Sequence, residues 1–263
     1  MDLGLTGKRA FVSGSTQGIG WAVADALVRE GAVVLLNGRS DDRVREAARR
    51  LRAAHPQAEI SGIAADFERA DDVARLLEEL GDVDILVNNV GLFGVAAFDT
   101  VSDDEWQRYF EVNLMSAVRL SRHLMPGMLA RGDGRILMIG SESGVDVPAD
   151  MLHYGTMKAA LLGFANGLAK LTRGSAVTVN TILGGPTYSD GVAQVVEEIS
   201  RAQGVPAEEM KAGIIAQNRT TLLERFIEPA ELAALAVYLV SPRASATNGS
   251  AVRADGGVLT GML

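Results

Sequence analysis

Short apolar runs alternate with longer stretches of helical periodicity along this chain. Arg9–Val12, Val33–Leu36, Ile60–Ala64, Ile85–Val87, Ile136–Ile139, Val177–Ile182 and Ala251–Arg253 read as strands. Between them, Gly18–Glu30, Asp42–Ala54, Asp71–Leu80, Asp103–Ala130 and Ala149–Thr172 read as helices. In the first of these, Ile19, Val23, Ala26 and Leu27 recur at helical spacing while Asp25, Arg29 and Glu30 take the other face. Near-continuous apolar strands separated by helices predict a parallel sheet covered on both faces. Right-handed crossovers make that sheet doubly wound, with ligands at the carboxyl ends of its strands. No repeat or linker interrupts the pattern, so residues 1–263 are expected to form one domain. Only 186–222 departs from the alternation. It places Val192, Val195, Val196 and Ile199, then Met210, Ile214 and Ile215, at helical intervals. Such a helical pair either covers core or closes as a lid over a substrate cleft, and its position after a strand end favours the lid.

Composition narrows the function classes. A chain of 263 residues with 48% hydrophobic and 22% charged residues can bury a core without staples. It has no cysteine, which excludes disulfides, thiolate nucleophiles and iron–sulfur clusters and suits a reducing cytoplasm. The net charge of −8 disfavours nucleic acid and anionic membranes as partners. The start, MDLGLTGKRAF, lacks the pattern of a signal peptide, and no apolar stretch is long enough for a membrane span. With three histidines and no dense ligand motif, no catalytic metal is expected.

The first strand runs into Ser13-Gly14-Ser15-Thr16-Gln17-Gly18-Ile19-Gly20 and then a helix. Glycines there allow a tight turn, close approach of a pyrophosphate to backbone N–H groups, and tight helix–strand packing. Phosphate would rest on the helix N-terminus. The absence of Lys-Ser/Thr after the last glycine excludes a Walker loop. This context makes the expected architecture a Rossmann-type dinucleotide fold of seven parallel strands. The second strand ends in Asn37-Gly38-Arg39-Ser40, without the carboxylate that would accept from the ribose 2′-OH of NAD. Arg39 can offer its planar fork to a 2′-phosphate, so NADP(H) is expected as the preferred cofactor, with NAD(H) possible. Arg43, Arg45, Arg49, Arg50 and Arg52 read as a solvated helix face.

Tyr154 and Lys158 are four residues apart on a predicted helix and so share a face; Ser141 lies 13 positions earlier, just past an apolar strand. With only four tyrosines in the chain, this coincidence is the strongest chemical signal present. A carbonyl that receives a hydride needs a proton for its developing alkoxide, and a positioned tyrosine can supply it. A neighbouring ammonium favours the phenolate, so Lys158 is expected to lower the tyrosine's pKa in a partly dry cleft. Ser141 would hydrogen-bond the substrate oxygen. His153 and Glu142, beside these residues, read more readily as a structural histidine and a solvated carboxylate than as pocket groups. A serine hydrolase is excluded, because Glu142 takes the nucleophile position in Gly140-Ser141-Glu142-Ser143-Gly144.

Over nearly its whole length the chain resembles the short-chain dehydrogenase/reductase family. The resemblance is carried by the glycine loop, Asn88-Asn89-Val90-Gly91, Asn113, Ser141, Tyr154-x-x-x-Lys158 and Arg253-Ala254-Asp255-Gly256-Gly257. It implies a catalytic tetrad of Asn113, Ser141, Tyr154 and Lys158, with Asn113 holding a relay water and Lys158 also binding the nicotinamide ribose. It further implies cofactor contacts from Gly14, Ser15, Gln17, Gly18, Ile19 and Gly20. Asp66 and Phe67 would stand at the adenine, Asn89, Val90 and Gly91 along the channel, and Thr187 and Ser189 near the carboxamide. The implied activity is hydride transfer between NADP(H) and a ketone, aldehyde or secondary alcohol, as in 3-oxoacyl reductases or general ketone reductases. The implied assembly is a homotetramer or homodimer. Departures are Ser13 for threonine, Val90 for alanine, and Gly184-Gly185-Pro186-Thr187 where Pro-Gly is usual, which is expected to loosen the backbone at the carboxamide site. A non-catalytic NADP-binding regulator is the rival reading, but it needs the glycine loop and not the tetrad. Walls near Phe93, Met151 and Tyr188 leave the substrate open.

Overall fold

The computed structural model describes residues 2–218 and 220–262, so Arg219 of the 186–222 segment lies outside the described residues. Seven strands form one sheet: β1 Arg9–Val12, β2 Val33–Gly38, β3 Ile60–Ala64, β4 Ile85–Asn88, β5 Asp133–Ser141, β6 Ala176–Gly184 and β7 Ala251–Ala254. Their spatial order is β3-β2-β1-β4-β5-β6-β7, every pair parallel. The order reverses between β1 and β4, and a crevice opens there outside the strand ends.

Alternation along each strand feeds two cores. Ala10 and Val12 of β1, with Ile85 and Val87 of β4, face α1 Gly18–Arg29, α2 Asp41–Ala54 and α9 Pro229–Leu239. Phe11 and Leu86 point the other way, toward α3 Ala70–Leu80, α5 Ser116–Arg131 and α6 Leu152–Lys170. These are the two covered faces that the apolar strands predict.

Three elements differ from the sequence reading. The helix expected over Asp103–Ala130 is α4 Asp103–Phe110, a π-helical segment Glu111–Met115, and α5. In that segment the Ser116 amide reaches back to the Glu111 carbonyl, and the Ser116 hydroxyl takes the Val112 carbonyl at 2.6 Å. Hydrophobic periodicity does not register one extra residue in a turn, and such insertions concentrate at functional sites. The helix expected from Ala149 begins at Leu152. Helix α9 was not anticipated, although it has a capping box between Glu228 and Glu231 and a proline in its first turn. The 186–222 segment supplies α7 Asp190–Gln203 and α8 Ala207–Gln217, which pack on each other and bury Val196 and Ile215.

Candidate active site

The loop Ser13–Gly20 lies at the reversal point. Gly14 and Gly18 have φ of +62° and +61°, a region where side chains are strained. A Cβ on Gly20 would stand 2.4 Å from Asn89 Nδ2 and 2.5 Å from the Gly14 carbonyl oxygen, so only glycine lets α1 approach this closely. Polar side chains brace the loop. Asn37 Oδ1 accepts from the Gly14 amide at 3.0 Å, and Asn89 Nδ2 donates to the Ser13 and Gly14 carbonyls, each at 3.0 Å. Ser13 Oγ accepts from the amides of Asn89 at 2.9 Å and Val90 at 3.1 Å, so serine meets this demand without threonine's methyl group.

Gly14, Gln17, Gly18, Ile19, Asn89, Val90 and Gly91 line one cleft over this loop. Arg39, Asp66 and Phe67 line it too, as the motifs predict. Ser15 and Gly20 stand behind the lining; Ser15 is buried and donates to the Val12 carbonyl at 2.7 Å, which makes it a brace of the loop. Arg43, read from sequence as part of a solvated face, also lines the cleft. The arginine-rich helix sorts itself by turn. Arg45 pairs with Asp42, Arg49 with Glu46, and Arg50 stacks on Trp21, whereas Arg39 and Arg43 form no ion pair among the described residues.

Beyond β6 the backbone is tight, contrary to the expected loosening: a Cβ on Gly185 would lie 2.5 Å from the Asp255 carbonyl oxygen. Thr187 is buried and donates to the Gly185 carbonyl at 2.9 Å, turned away from the cleft, and Ser189 and Gly191 line it instead. Next to Ser189, Asp190 opens α7 and its Oδ2 accepts from the Gly18 amide at 2.5 Å. A carboxylate of the 186–222 segment therefore occupies a donor at the start of α1, where a helix N-terminus holds anions.

Asn113 and Lys158 meet next to Gly91, with Tyr154 alongside Lys158 and facing Ser141. Strand β5 delivers Ser141 at its carboxyl end and α6 carries Tyr154 and Lys158 one turn apart. A Cβ on Gly91 would stand 3.2 Å from Asn113 Oδ1 and 3.8 Å from Lys158 Nζ. Asn113 is buried in the π-helical segment, where its Oδ1 accepts from the Leu92 amide at 2.6 Å and its Nδ2 donates to the Leu92 carbonyl at 3.0 Å. Its carboxamide is thus spent on one peptide unit. Lys158 Nζ donates to the Ile139 carbonyl at 2.8 Å and lies 5.7 Å from the centre of the Tyr154 ring. The Tyr154 hydroxyl faces the Ser141 side chain, which favours its ionised form.

Burial dominates the electrostatics here. It pushes the Tyr154 phenol well above its ordinary value, with the Ser141 hydrogen bond offsetting part and Glu142 and Tyr109 adding to the rise. It also pushes the Lys158 ammonium down to about 8, against the pull of Glu142. The expected lowering of the tyrosine by the lysine is therefore not what the protein's own groups produce, because both charged forms lose more hydration than their separation returns. Glu142 is not the solvated residue expected: its carboxylate is taken in by the 3₁₀ turn Glu142–Gly144 and touches Ser141. His153 is buried edge-on against Tyr109, ring centres 4.3 Å apart, and against Trp106 at 6.3 Å, which fits its structural reading. No group of metal-ligating side chains, and no helix long and apolar enough to cross a membrane, occurs among the described residues.

Comparison with known proteins agrees with this geometry. The family model for short chain dehydrogenases matches residues 8–200. An uncharacterized oxidoreductase of Bacillus subtilis, YvrD, is 43% identical, covering 98% of this chain and 99% of that protein. A D-beta-hydroxybutyrate dehydrogenase of Cupriavidus necator is 34% identical, covering 96% of this chain and 98% of that one. The crystal structure of L-sorbose reductase from Gluconobacter frateurii, complexed with NADPH and L-sorbose, matches 100% of both chains at a TM-score of 0.93 and 34% identity. With the glycine loop braced at the sheet's reversal point and the family's four polar residues gathered beside it, this chain belongs to the short-chain dehydrogenase family.

Proposed function

We propose that this protein is an NADP(H)-dependent oxidoreductase that interconverts a carbonyl compound and the corresponding secondary alcohol. The approach of Lys158 and Asn113 to Gly91, which lines the cleft over the glycine loop, with Tyr154 alongside Lys158 and facing Ser141, carries this reading. The residues fit the dinucleotide: loop amides and the start of α1 face a pyrophosphate, Arg39 and Arg43 a 2′-phosphate, and Asp66 with Phe67 the adenine. The NADPH held by the sorbose reductase supports the cofactor assignment. When bound, the nicotinamide supplies or accepts a hydride at C4.

The chain's own residues handle the proton. Tyr154, kept protonated by burial, donates from its hydroxyl to the oxygen of a carbonyl substrate. Ser141 positions that oxygen, and Lys158, held by the Ile139 carbonyl, orients the ribose and lies below the phenol. With the Asn113 carboxamide engaged on Leu92, a relay water would rest on main chain of the π-helical segment. Helices α7 and α8 act as the lid. Ser189 touches the cofactor in place of Thr187, and Asp190 holds the lid to the loop until phosphate displaces it. A cytoplasmic setting, which the lack of cysteine suits, and the homo-oligomer that the family resemblance implies complete the reading.

Four measurements test it. Tyr154→Phe should lower kcat for NADPH-dependent reduction of a ketone panel by about 10³-fold or more, and undiminished turnover would refute the assignment. Arg39→Asp and Arg43→Ala should each weaken NADP(H) binding by about tenfold with little change for NAD(H), read by fluorescence titration. Asp190→Asn should tighten dinucleotide binding several-fold in the same titration, and weaker binding would make Asp190 a cofactor contact.

The fourth concerns stability. The Lys158 ammonium loses its proton near pH 8 in the folded protein but near 10.5 when unfolded. Between these values the unfolded chain binds the extra proton, so this group's contribution to stability rises with pH and is lost again as pH falls to 8. Urea unfolding should show wild type gaining about 3 kcal/mol relative to Lys158→Met across that window. A pH-independent difference would mean that the amine is hydrated.

A further inference from the structure

A serine hydroxyl has one proton to donate and two lone pairs to accept with, and at Ser141 the structure accounts for nearly all of this capacity. Its Oγ donates to Glu142 Oε2 at 2.6 Å, and one lone pair accepts from the Ser143 amide at 3.1 Å. Glu142 is held from its other oxygen as well, where Oε1 accepts from Ser143 Oγ at 3.3 Å. What Ser141 has left for Tyr154 or a substrate is a single lone pair. While Glu142 is ionised, Ser141 meets a reacting oxygen only as an acceptor, which withholds its proton from the oxygen that gains negative charge as hydride moves. Protonation of Glu142 reverses the pair: Oε2–H donates to Oγ, both serine lone pairs are filled, and the serine proton is free to point at a carbonyl oxygen. No proton is gained or lost by Ser141 in either state; only its direction changes.

We propose that Glu142 is a positioning residue that sets the hydrogen-bonding direction of Ser141, so that its neutral form releases the serine proton toward the substrate oxygen and speeds hydride transfer in both directions, while its ionised form withholds that proton and slows both. The inference rests on the oxidoreductase reading above. The surroundings of Glu142 suit such a switch. The 3₁₀ turn is pressed onto α6 at Gly144, where a Cβ would lie 2.8 Å from the Lys158 carbonyl carbon. From α6 the Tyr154 hydroxyl and the Lys158 ammonium interact with the Glu142 charge, and Tyr109 of α4 stands behind Tyr154. Asp146, whose amide bonds the Glu142 carbonyl, is exposed. Burial raises the Glu142 carboxyl above the usual carboxylate range, and its two serine partners only partly oppose this. That moves the switch toward the pH range in which enzymes work.

The test has two arms on the full-length protein. In the first, kcat/KM is measured against pH with ethyl acetoacetate and NADPH, and with ethyl 3-hydroxybutyrate and NADP⁺. In each direction the ratio of wild-type to Glu142→Gln kcat/KM should fall by about tenfold as pH rises through the Glu142 titration, because one charge-assisted hydrogen bond is withheld from the reacting oxygen. Because the carboxamide in Glu142→Gln does not titrate, that ratio cancels the limbs set by Lys158 and by the reaction's own proton; a ratio that does not change with pH overturns the proposal. The second arm needs no turnover. Carboxyl ¹³C NMR, with the Glu142 signal assigned by its loss in Glu142→Asp, should show its midpoint rising by about one unit in Ser141→Ala, which removes a donor to the ionised form. An unmoved midpoint means that the serine proton is not on Glu142 and overturns the proposal. If neither ester turns over and no ketone in the panel does, the oxidoreductase reading fails, and the NMR arm alone decides the hydrogen-bond assignment. If Glu142→Gln does not fold, the same arm decides.

Discussion

Everything at the site depends on how closely three backbone segments approach where the sheet changes direction. Strands β1 and β4 are neighbours in space but far apart in sequence, and the segments leaving them diverge over the sheet. The glycine loop fits into that fork because Gly20 has no Cβ to strike Asn89 and because Ser13, Asn37 and Asn89 satisfy the loop's backbone groups. Those bonds leave the cleft-facing surface of the loop open. They also hold Val90 and Gly91 in place, and Gly91 in turn gives Asn113 and Lys158 room to meet. The anion-binding end and the proton-transfer end are therefore two results of one packing arrangement.

The end that holds Tyr154 and Lys158 is governed by dehydration. Placing a phenol and a carboxylate, each half-buried, beside a buried ammonium costs stability, since each charge loses water. The structure spreads this cost by giving two of the groups fixed partners: Lys158 a carbonyl and Glu142 two serines. The result is a neutral tyrosine and a lysine that titrates close to neutrality. Both are properties of a site tuned for moving protons rather than for holding the fold together.

Much of this could be read from the chain. Strands β1 and β3 fall where the apolar runs place them, and the switch from short runs to helical periodicity revealed the parallel, doubly wound sheet. The Tyr154–Lys158 spacing put both residues on one helical face, and Ser141 lay at a strand end as expected. Such features depend on neighbours in sequence, and a pattern of residue types records them. The π-helical segment and α9 escaped this reading, the first because one inserted residue barely disturbs an apolar stripe, the second because an almost wholly apolar segment shows little periodicity.

The sequence alone thus determined the sheet, its glycine loop and the polar residues that stand beside it, since each is written in local spacing and side-chain type. Only the tertiary structure decided what those groups face. It brought Arg43 into the cleft beside Arg39, turned Thr187 inward and Ser189 outward, set Asp190 on the Gly18 amide, and placed Glu142 on the proton of Ser141. It also reversed the expected effect on Tyr154, because hydration is lost to the whole surrounding fold. No spacing along the chain encodes how much water a group will keep, or which distant backbone will stand against it.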